Sequence, residues 1–320
     1  MTSLPHQGSS LFGPVISTSP AGWDRHQRLF GAGLHMTTYG QVELDGPAVR
    51  QILGVPAERA LISTCLTPGT RSGVLLIALD PPDEATVRRR DEPTARDALK
   101  VIDFYAPSFE AAVRRLAQAG FDIEPDVASY NLEAGTFREA HVWAEDAVIV
   151  ALLAGPAGFF EDFARVRDRV VSEVQSLSAP VTDLEPVLAF YADVLGFEPV
   201  FRYEVTDPSF ADLVGTDERL AIDAVNVGVS TADPYLGLID YGPVAGRGVS
   251  LADRSRLPRR GVVGCLVEVA DLDGARARAR AGGHETSEAH ELDLPGIGAC
   301  TLARITAPHG VEHLVMQPGR

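Results

Sequence analysis

Apolar and polar residues alternate in the same order along two stretches of the chain. In residues 98–156, one alternating segment (LKVIDFYA) precedes a stretch with helical spacing (SFEAAVRRLAQAG), and three further alternating segments follow. Residues 261–318 repeat this order, from GCLVEVA through DLDGARARARAGG to VEHLVMQ. Alternation with a period of two predicts strands with one buried face, and a period near 3.6 predicts a helix. Each stretch is therefore predicted to form a strand, a helix and three more strands.

The two stretches align without gaps at a constant offset of 163 residues, which places Gly120 on Gly283 and Val148 on Val311. A weaker pair of similar segments precedes them, at residues 52–64 and 213–225. Each of these two segments precedes a charged, proline-containing link, at residues 83–96 or 245–260. The composition of both links is typical of exposed loops. A fixed repeat offset indicates duplicated structural units. The sequence predicts an α+β fold of four βαβββ modules, in two tandem halves with one concave sheet surface each.

This organisation sets the predicted domain boundaries. Residues 1–12 are expected to form a flexible tail, and residues 13–156 a first domain whose first module is divergent. Residues 157–171 are expected to form a connecting helix, and residues 172–320 the second domain. The length of 320 residues agrees, because roughly 150 residues per domain gives about two domains.

Charge and composition narrow the class of partner. The net charge of −16 repels phosphate backbones and anionic membrane surfaces, so neither nucleic acid nor a membrane is expected as a partner. No apolar run reaches the roughly 18 residues of a membrane span, and residues 1–10 do not resemble a signal peptide. The three cysteines form no CxxC pair, which favours neither disulfides nor structural zinc. A cytoplasmic protein that acts on small molecules is expected, and its oligomeric state stays open, with a homodimer as one alternative.

One segment carries a family resemblance. Residues 181–200 read VTDLEPVLAFYADVLGFEPV, in which Phe190, Tyr191, Leu195 and Gly196 match a helix and its glycine stop. This pattern resembles the module opening of the vicinal oxygen chelate superfamily, which includes glyoxalase I, the fosfomycin and bleomycin resistance proteins and the extradiol dioxygenases. The resemblance implies that the four modules form two tandem cupped barrels.

Members of that superfamily usually hold a divalent metal in the cup, on ligands from the first and last strands of the modules. The resemblance places those positions on Ser176, Gly264, Val101, Gly237, Ala151 and either His313 or Leu314. Only His313 among these is a common metal ligand, and such a centre needs three or four ligands. We therefore expect no metal cofactor. The alternative is an atypical iron, manganese or zinc site with ligands such as Glu268 or His290.

Four residues are candidates for catalysis: Glu268, His313, His290 and Arg304. If the aspartate of the V-x-D-L pattern sets the register, Glu268 faces a cup, where partial burial would raise its pKa and suit it as a general base. Either histidine is an alternative base, and Arg304 could bind an enolate oxygen with two hydrogen bonds. Structural roles are the competing interpretation, namely an ion pair for Glu268 and an exposed strand end for His290.

A second set of residues is predicted to bind the substrate: Ser176, Ser178, Tyr203, Asp103, Tyr105, His141 and Trp143. Most of them face a cup in the same register. Alternation also places Phe137, Glu139, His141 and Trp143 on one face of a strand, which suits stacking on a planar ligand. The same stripe is compatible with a packed core, and Asp103 could simply pair with an arginine.

Three functions fit these observations. The leading hypothesis is a metal-free enzyme for a small oxygenated metabolite, an isomerase, lyase or carbon–carbon bond-cleaving enzyme with an enolate-like intermediate. The second is a resistance-type protein that sequesters a planar aromatic compound. The third is a metal-dependent extradiol-type dioxygenase, which the four-module layout favours and the missing ligands oppose. Resemblance of fold does not choose among them.

Overall fold

The protein is described from a computed structural model that covers residues 8–124, 126–217, 219–242 and 248–319. Each of its four modules begins with a strand, continues with a helix and ends with further strands. The first module contains β1 (Ser10–Thr18), α1 (Pro20–Arg28), β2 (Thr37–Asp45), α2 (Gly46–Ala48), β3 (Arg59–Leu66) and β4 (Gly73–Asp80). The second contains β5 (Val101–Tyr105), α3 (Phe109–Gln118), β6 (Asp122–Ile123), β7 (Ala128–Leu132), β8 (Gly135–Trp143) and β9 (Ile149–Ala154).

The third and fourth modules repeat the pattern. The third contains β10 (Val174–Pro180), α4 (Leu184–Phe190), β11 (Glu198–Val205), α5 (Ser209–Val214), β12 (Ile222–Gly228) and β13 (Tyr235–Asp240). The fourth contains β14 (Gly261–Glu268), α6 (Leu272–Ala281), β15 (His290–Leu294), β16 (Gly298–Thr306) and β17 (Glu312–Pro318). One π-helical turn continues each of α1, α2 and α4, at Leu29–Gly33, Val49–Leu53 and Tyr191–Leu195. No helix of the described residues is long and apolar enough to cross a membrane.

These strands form two large sheets, which confirms the α+β class and the four βαβββ modules. One sheet has the order β15-β16-β17-β14-β1-β4-β3-β2, and the other has the order β11-β12-β13-β10-β5-β9-β8-β6, with β7 added beside β8. In each sheet the first strands of two modules pair antiparallel, β1 with β14 and β5 with β10. The first module therefore shares a sheet with the fourth, and the second with the third.

This pairing differs from the prediction of one concave sheet within residues 13–156 and another within residues 172–320. All four first strands are apolar, so the sequence pattern does not reveal which two pair. The chain segments between modules also differ from the exposed loops that we predicted. They pair with each other through Arg96 N and Val249 O (2.9 Å) and through Val87 N and Arg260 O (2.8 Å). Residues 245–247 of the second link lie outside the described residues.

Asp97 fastens these links to the third module. Its backbone N–H donates to Pro180 O at 2.7 Å, and its buried carboxylate accepts hydrogen bonds from Thr182 N at 2.8 Å and Ser250 Oγ at 2.7 Å. A buried carboxylate is tolerated when its oxygens are hydrogen-bonded in this way. Asp97 thereby holds together three segments that are far apart in sequence.

Two smaller predictions also need correction. Residues 157–171 form only one short 3₁₀ turn, Phe159–Asp162, rather than a connecting helix. Residues 1–7 of the predicted flexible tail lie outside the described residues, but β1 already begins at Ser10, because its apolar residues Leu11 and Phe12 are buried in the sheet.

The two cups differ in how they are filled. In the sheet of the first and fourth modules, the π-helical turn after α2 inserts Val49 and Leu53, both fully buried, among apolar side chains of the concave face such as Leu302 and Leu314. The turn ends at Gly54, whose φ of 73° is strained for residues with a side chain. This cup is a packed core and leaves no room for a ligand at its centre.

We expect Leu53→Ala to lower the free energy of unfolding by about 2–5 kcal/mol, because it opens a cavity in a close-packed core. Leu213→Ala is the matched comparison, since Leu213 lies near the end of the corresponding helix α5, where it is buried in an apolar cluster but also lines the smaller cavity. Urea denaturation of both variants measures the difference. An equal loss in the two variants would contradict the assignment of a filled and an open cup.

Candidate active site

The cup formed by the second and third modules contains an open cavity. Its volume of about 100 Å³ is comparable to the roughly 150 Å³ apolar cavity that accepts benzene, so it suits a molecule about the size of one aromatic ring. Polar side chains of β5, β8 and β10 form one part of its wall, and aromatic rings form another.

Asp103 lies on the floor of the cavity, directly opposite Ser176 in the antiparallel pair of β5 and β10. Ser176 Oγ donates to Asp103 Oδ2 at 2.6 Å, and Ser178 Oγ donates to the same oxygen at 2.9 Å. Burial raises the pKa of Asp103 to about 8, and the nearby carboxylate of Glu139 adds to the rise, while the two serines oppose it. Asp103 is therefore a neutral carboxylic acid at pH 7 and can donate a proton from Oδ1.

Glu139 and His141 form a dyad on β8. They are two residues apart on a strand, so their side chains emerge on the same face. His141 Nε2 and Glu139 Oε1 are 3.0 Å apart, and Tyr130 donates its hydroxyl to Glu139 Oε2 at 3.4 Å. In the neutral tautomer that donates Nε2–H to a carboxylate, Nδ1 carries the lone pair that a general base uses.

Lys100 stands immediately before β5, at the boundary between this cavity and a smaller one beside it. Its Nζ donates to the carbonyl of Pro93 at 2.8 Å and to the hydroxyl of Tyr241 at 3.2 Å. Burial lowers the pKa of Lys100 well below its ordinary value, and the guanidinium of Arg88 adds to this effect, while Glu139 opposes it.

Aromatic rings cover the opposite wall. The short turn after β9 supplies Phe159, Phe160 and, just beyond it, Phe163, and Phe159 lies edge-on to Phe137 of β8 with 4.7 Å between ring centroids. Phe210 of α5 completes this wall. Rings packed edge to face are rigid and present flat apolar surface to a planar ligand. The segment that we predicted as a connecting helix therefore contributes to the cavity.

The structure brings together five of the seven residues predicted to bind substrate. The five that line the cavity are Asp103, His141, Ser176, Ser178 and Tyr203. Tyr105 instead lies behind the wall, stacked on Phe160 at 4.2 Å. Trp143 lines the smaller cavity, where the guanidinium of Arg90 lies 4.6 Å from its ring centroid.

The four predicted catalytic residues all lie in the other sheet, away from this cavity. His313 is fully buried on the helix side of β17: its Nε2 lies 2.9 Å from the Tyr191 hydroxyl, and Nδ1 accepts from Cys265 N at 3.3 Å. Burial lowers its pKa to about 3. A shift of one position decides the side of a strand, and β17 directs Glu312 rather than His313 towards Arg304.

Arg304, Glu268 and His290 have structural or surface partners. Arg304 Nη1 lies 3.1 Å from Glu312 Oε2 and its guanidinium lies over Gly54, so it does not neutralise Glu268. Glu268 is 3.5 Å from the exposed Arg71, as in the ion-pair alternative. His290 Nδ1 lies 3.1 Å from Gln51 Nε2 at the sheet edge. These residues all belong to the sheet whose cup is filled, and the sequence did not distinguish this sheet from the one with the open cup.

Sequence reasoning missed two residues of the site. Glu139 was predicted only as part of the β8 stripe, and Lys100, the single lysine of the chain, was not among the candidates. Both could have been found from register, because Glu139 is two positions before His141 and Lys100 directly precedes the strand that carries Asp103. Charged residues next to a strand of a cup are candidates for its interior.

The metal positions implied by the resemblance do not fit a metal in this cup. Val101, Ser176 and Gly237 line the cavity, and Ala151 pairs with Asp103 in the sheet, so the four positions do converge. Their side chains, however, offer a single hydroxyl among them. The described residues contain no group of three His, Cys, Asp or Glu side chains that could hold a metal ion.

Comparisons with known proteins agree with this architecture. Glyoxalase I from Zea mays superposes with a TM-score of 0.62 at 12% identity, over 97% of this chain and 92% of that chain. A candidate dioxygenase from Bacillus subtilis subsp. subtilis strain 168 superposes with a TM-score of 0.58 at 11% identity, over 97% of this chain and 86% of that chain. At such identities the similarity shows the fold alone. No curated protein sequence matches the chain.

The family model agrees with the residues that carry the resemblance. Residues 173–312, which include the segment 181–200, match the model of the Glyoxalase/Bleomycin resistance protein/Dioxygenase superfamily. Both structural neighbours cover almost the whole chain, including the first two modules. Residues 173–312, in the third and fourth modules, therefore match this superfamily, and the chain as a whole shares the fold of the two structural neighbours.

Proposed function

We propose that the open cup is the active site of an enzyme that transfers protons on a small oxygenated molecule without a resident metal. The observation that carries the proposal is the placement of a neutral acid, Asp103, and a histidine–carboxylate dyad, His141 and Glu139, on one cavity wall. A proton donor and a possible proton acceptor that face the same cavity are the arrangement that acid–base catalysis needs.

Each group has a distinct role in this proposal. His141 removes a proton from the carbon beside a carbonyl group, and Glu139 orients the imidazole and stabilises the imidazolium that forms. Asp103 donates a hydrogen bond to the carbonyl oxygen, on which negative charge develops as an enolate. The two serines keep the Asp103 carboxyl in place through Oδ2 and leave Oδ1 for the substrate.

The cavity also limits the substrate. Its size suits one ring or a molecule of similar bulk, and the phenyl wall favours an apolar, planar part. The substrate that we propose is therefore a small carbonyl compound with an aromatic or similarly flat group. Isomerisation, elimination and carbon–carbon bond cleavage can all pass through an enolate.

The three cysteines are buried free thiols, which suits a reducing, cytoplasmic setting.

Sequestration of a planar aromatic compound is the second candidate, favoured by the ring cluster around Phe159. It predicts tight binding without any effect of the acid or the dyad on the ligand. An extradiol-type dioxygenase is less well supported, because Val101, Ala151, Ser176 and Gly237 do not supply the ligands that such an enzyme requires.

The protonation state of Asp103 can be tested through stability. Because its pKa is about 8 in the folded protein and near 3.8 when unfolded, the folded state binds the proton more tightly. This stabilisation is complete below about pH 4 and is lost as pH rises through 8. In urea denaturation, the free energy of unfolding of the wild type should fall between pH 4 and 8. Asp103→Asn should reduce this fall, by a few kcal/mol at most. Asp24→Asn, at an exposed position, serves as the control and should leave the pH profile unchanged.

The proposed chemistry can be tested by hydrogen exchange on carbon. Phenylacetaldehyde and phenylacetone, each with one ring, should exchange their α-protons with D₂O in the presence of EDTA-treated protein, as followed by proton NMR. His141→Gln should slow this exchange by about 10²–10⁴-fold, the usual contribution of a general base. His290→Gln, which alters the other sheet, should exchange like the wild type. Binding of both compounds with no exchange above background would instead support sequestration.

A further inference from the structure

The single lysine of the chain is a buried residue of this cavity. Lys100 is 5% exposed, and its backbone N–H donates to Ser178 O at 2.7 Å, which fixes it beside the serine that contacts Asp103. Together with His141, it lines both the main cavity and the smaller one. The reaction proposed for Asp103, His141 and Glu139 gives Lys100 no role.

The partners of Lys100 suit an uncharged amine. Its Nζ contacts the carbonyl of Pro93 and the hydroxyl of Tyr241, both of which are neutral, and no described carboxylate lies within 4.0 Å of it. An ammonium group would bury a charge without a carboxylate in contact with it and leave a third N–H group to satisfy. A neutral amine donates two hydrogen bonds to these two partners and retains its lone pair.

Arg88 reinforces this preference. Its guanidinium is buried and donates to the carbonyls of Leu99, Ala95 and Ala98, at 2.9, 2.9 and 2.7 Å, so its positive charge stands fixed next to the Lys100 backbone. A second positive charge nearby is unfavourable. The buried, neutral lysine is a form that reacts with carbonyl compounds, because desolvation makes the amine nucleophilic at neutral pH.

We propose that Lys100 is a nucleophile that forms an imine with the aldehyde or ketone group of the substrate. This inference rests on the proposed function and adds a covalent step to it. It also narrows the substrate class from oxygenated compounds in general to aldehydes and ketones. The imine nitrogen would then take the place of the carbonyl oxygen as the group that withdraws electrons.

Imine formation at Lys100 needs only proton transfers and the loss of water. The lone pair of Nζ attacks the carbonyl carbon, a C–N bond forms, and the π pair of the C=O bond moves to oxygen, which takes up one of the two protons of the amine. The resulting carbinolamine loses its hydroxyl group as water, with a proton from a cavity acid such as Asp103, and the nitrogen lone pair forms the C=N bond of a protonated imine, which keeps the second amine proton. No oxidant or reductant is needed. Removal of an α-proton by His141 then gives an enamine, and hydrolysis returns the free amine.

The test uses reductive trapping, and the single lysine makes it simple to interpret. Native protein at pH 7 is treated with sodium cyanoborohydride and either benzaldehyde or acetaldehyde, and the modified residues are mapped by peptide mass spectrometry. We expect an adduct on Lys100 that forms at least about tenfold faster than on N-acetyl-lysine amide, whose amine is almost fully protonated at this pH. The N-terminal amine provides an internal reference within the same sample.

Three controls separate the outcomes. Urea-unfolded protein reports the reactivity of an exposed lysine, and Lys100→Arg removes the nucleophile while keeping a long basic side chain. If Lys100→Arg fails to fold, Tyr241→Phe takes its place as a variant that keeps the lysine but removes one of its hydrogen-bond partners. No Lys100 adduct in native protein with either aldehyde, together with labelling after unfolding, would overturn the proposal. Benzaldehyde has no α-proton, so its trapping is independent of the exchange assay, and α-exchange without trapping would reject the imine alone.

Discussion

The pairing of first strands between distant modules is the constraint on which the rest of this fold depends. Strand β1 needs β14 beside it, and β5 needs β10, so the first sheet stays incomplete until the last module is present. The links between modules follow from this arrangement, because they run between the sheets and pair with each other. Asp97 can contact Thr182 and Ser250 only when all three segments are in place, and its buried charge makes that arrangement specific.

The two sheets differ in what their cups contain: one holds a packed apolar core, and the other holds buried polar groups around a cavity. Apolar residues such as Leu53 fill one cup, where close packing is the most effective use of buried surface. The other cup contains Asp103, Glu139 and Lys100, whose desolvation costs stability and is only partly offset by their hydrogen bonds. A chain with two similar cups can accept that cost in one of them because the other supplies a packed core.

Much of this could be predicted from sequence, and the failures have identifiable physical causes. Periodicity and the offset of 163 residues gave the four modules, and the register of the V-x-D-L pattern placed Asp103, Ser176 and Ser178 towards a cup. Periodicity indicates that a residue faces a cup, but not whether the cup is open, so Glu268 and Arg304 were assigned to a site in the sheet whose cup apolar residues fill. The side of His313 depended on a register shift of one residue, which alternation in a mostly apolar strand does not fix.

The resemblance implies metal ligands at four positions of this cup, but the residues found there change the surroundings of Asp103 instead. Val101, Ala151 and Gly237 bring small or apolar side chains next to Asp103, where ligating groups would have brought charge and water. Such surroundings disfavour an ionised carboxylate, and burial is the largest cause of the raised pKa of Asp103. The residues at these positions thus offer a metal only the Ser176 hydroxyl and add to the burial that favours the neutral form of Asp103. In such a site, desolvated protein groups can stabilise charge that develops on an oxygen, a role that a metal ion would otherwise fulfil.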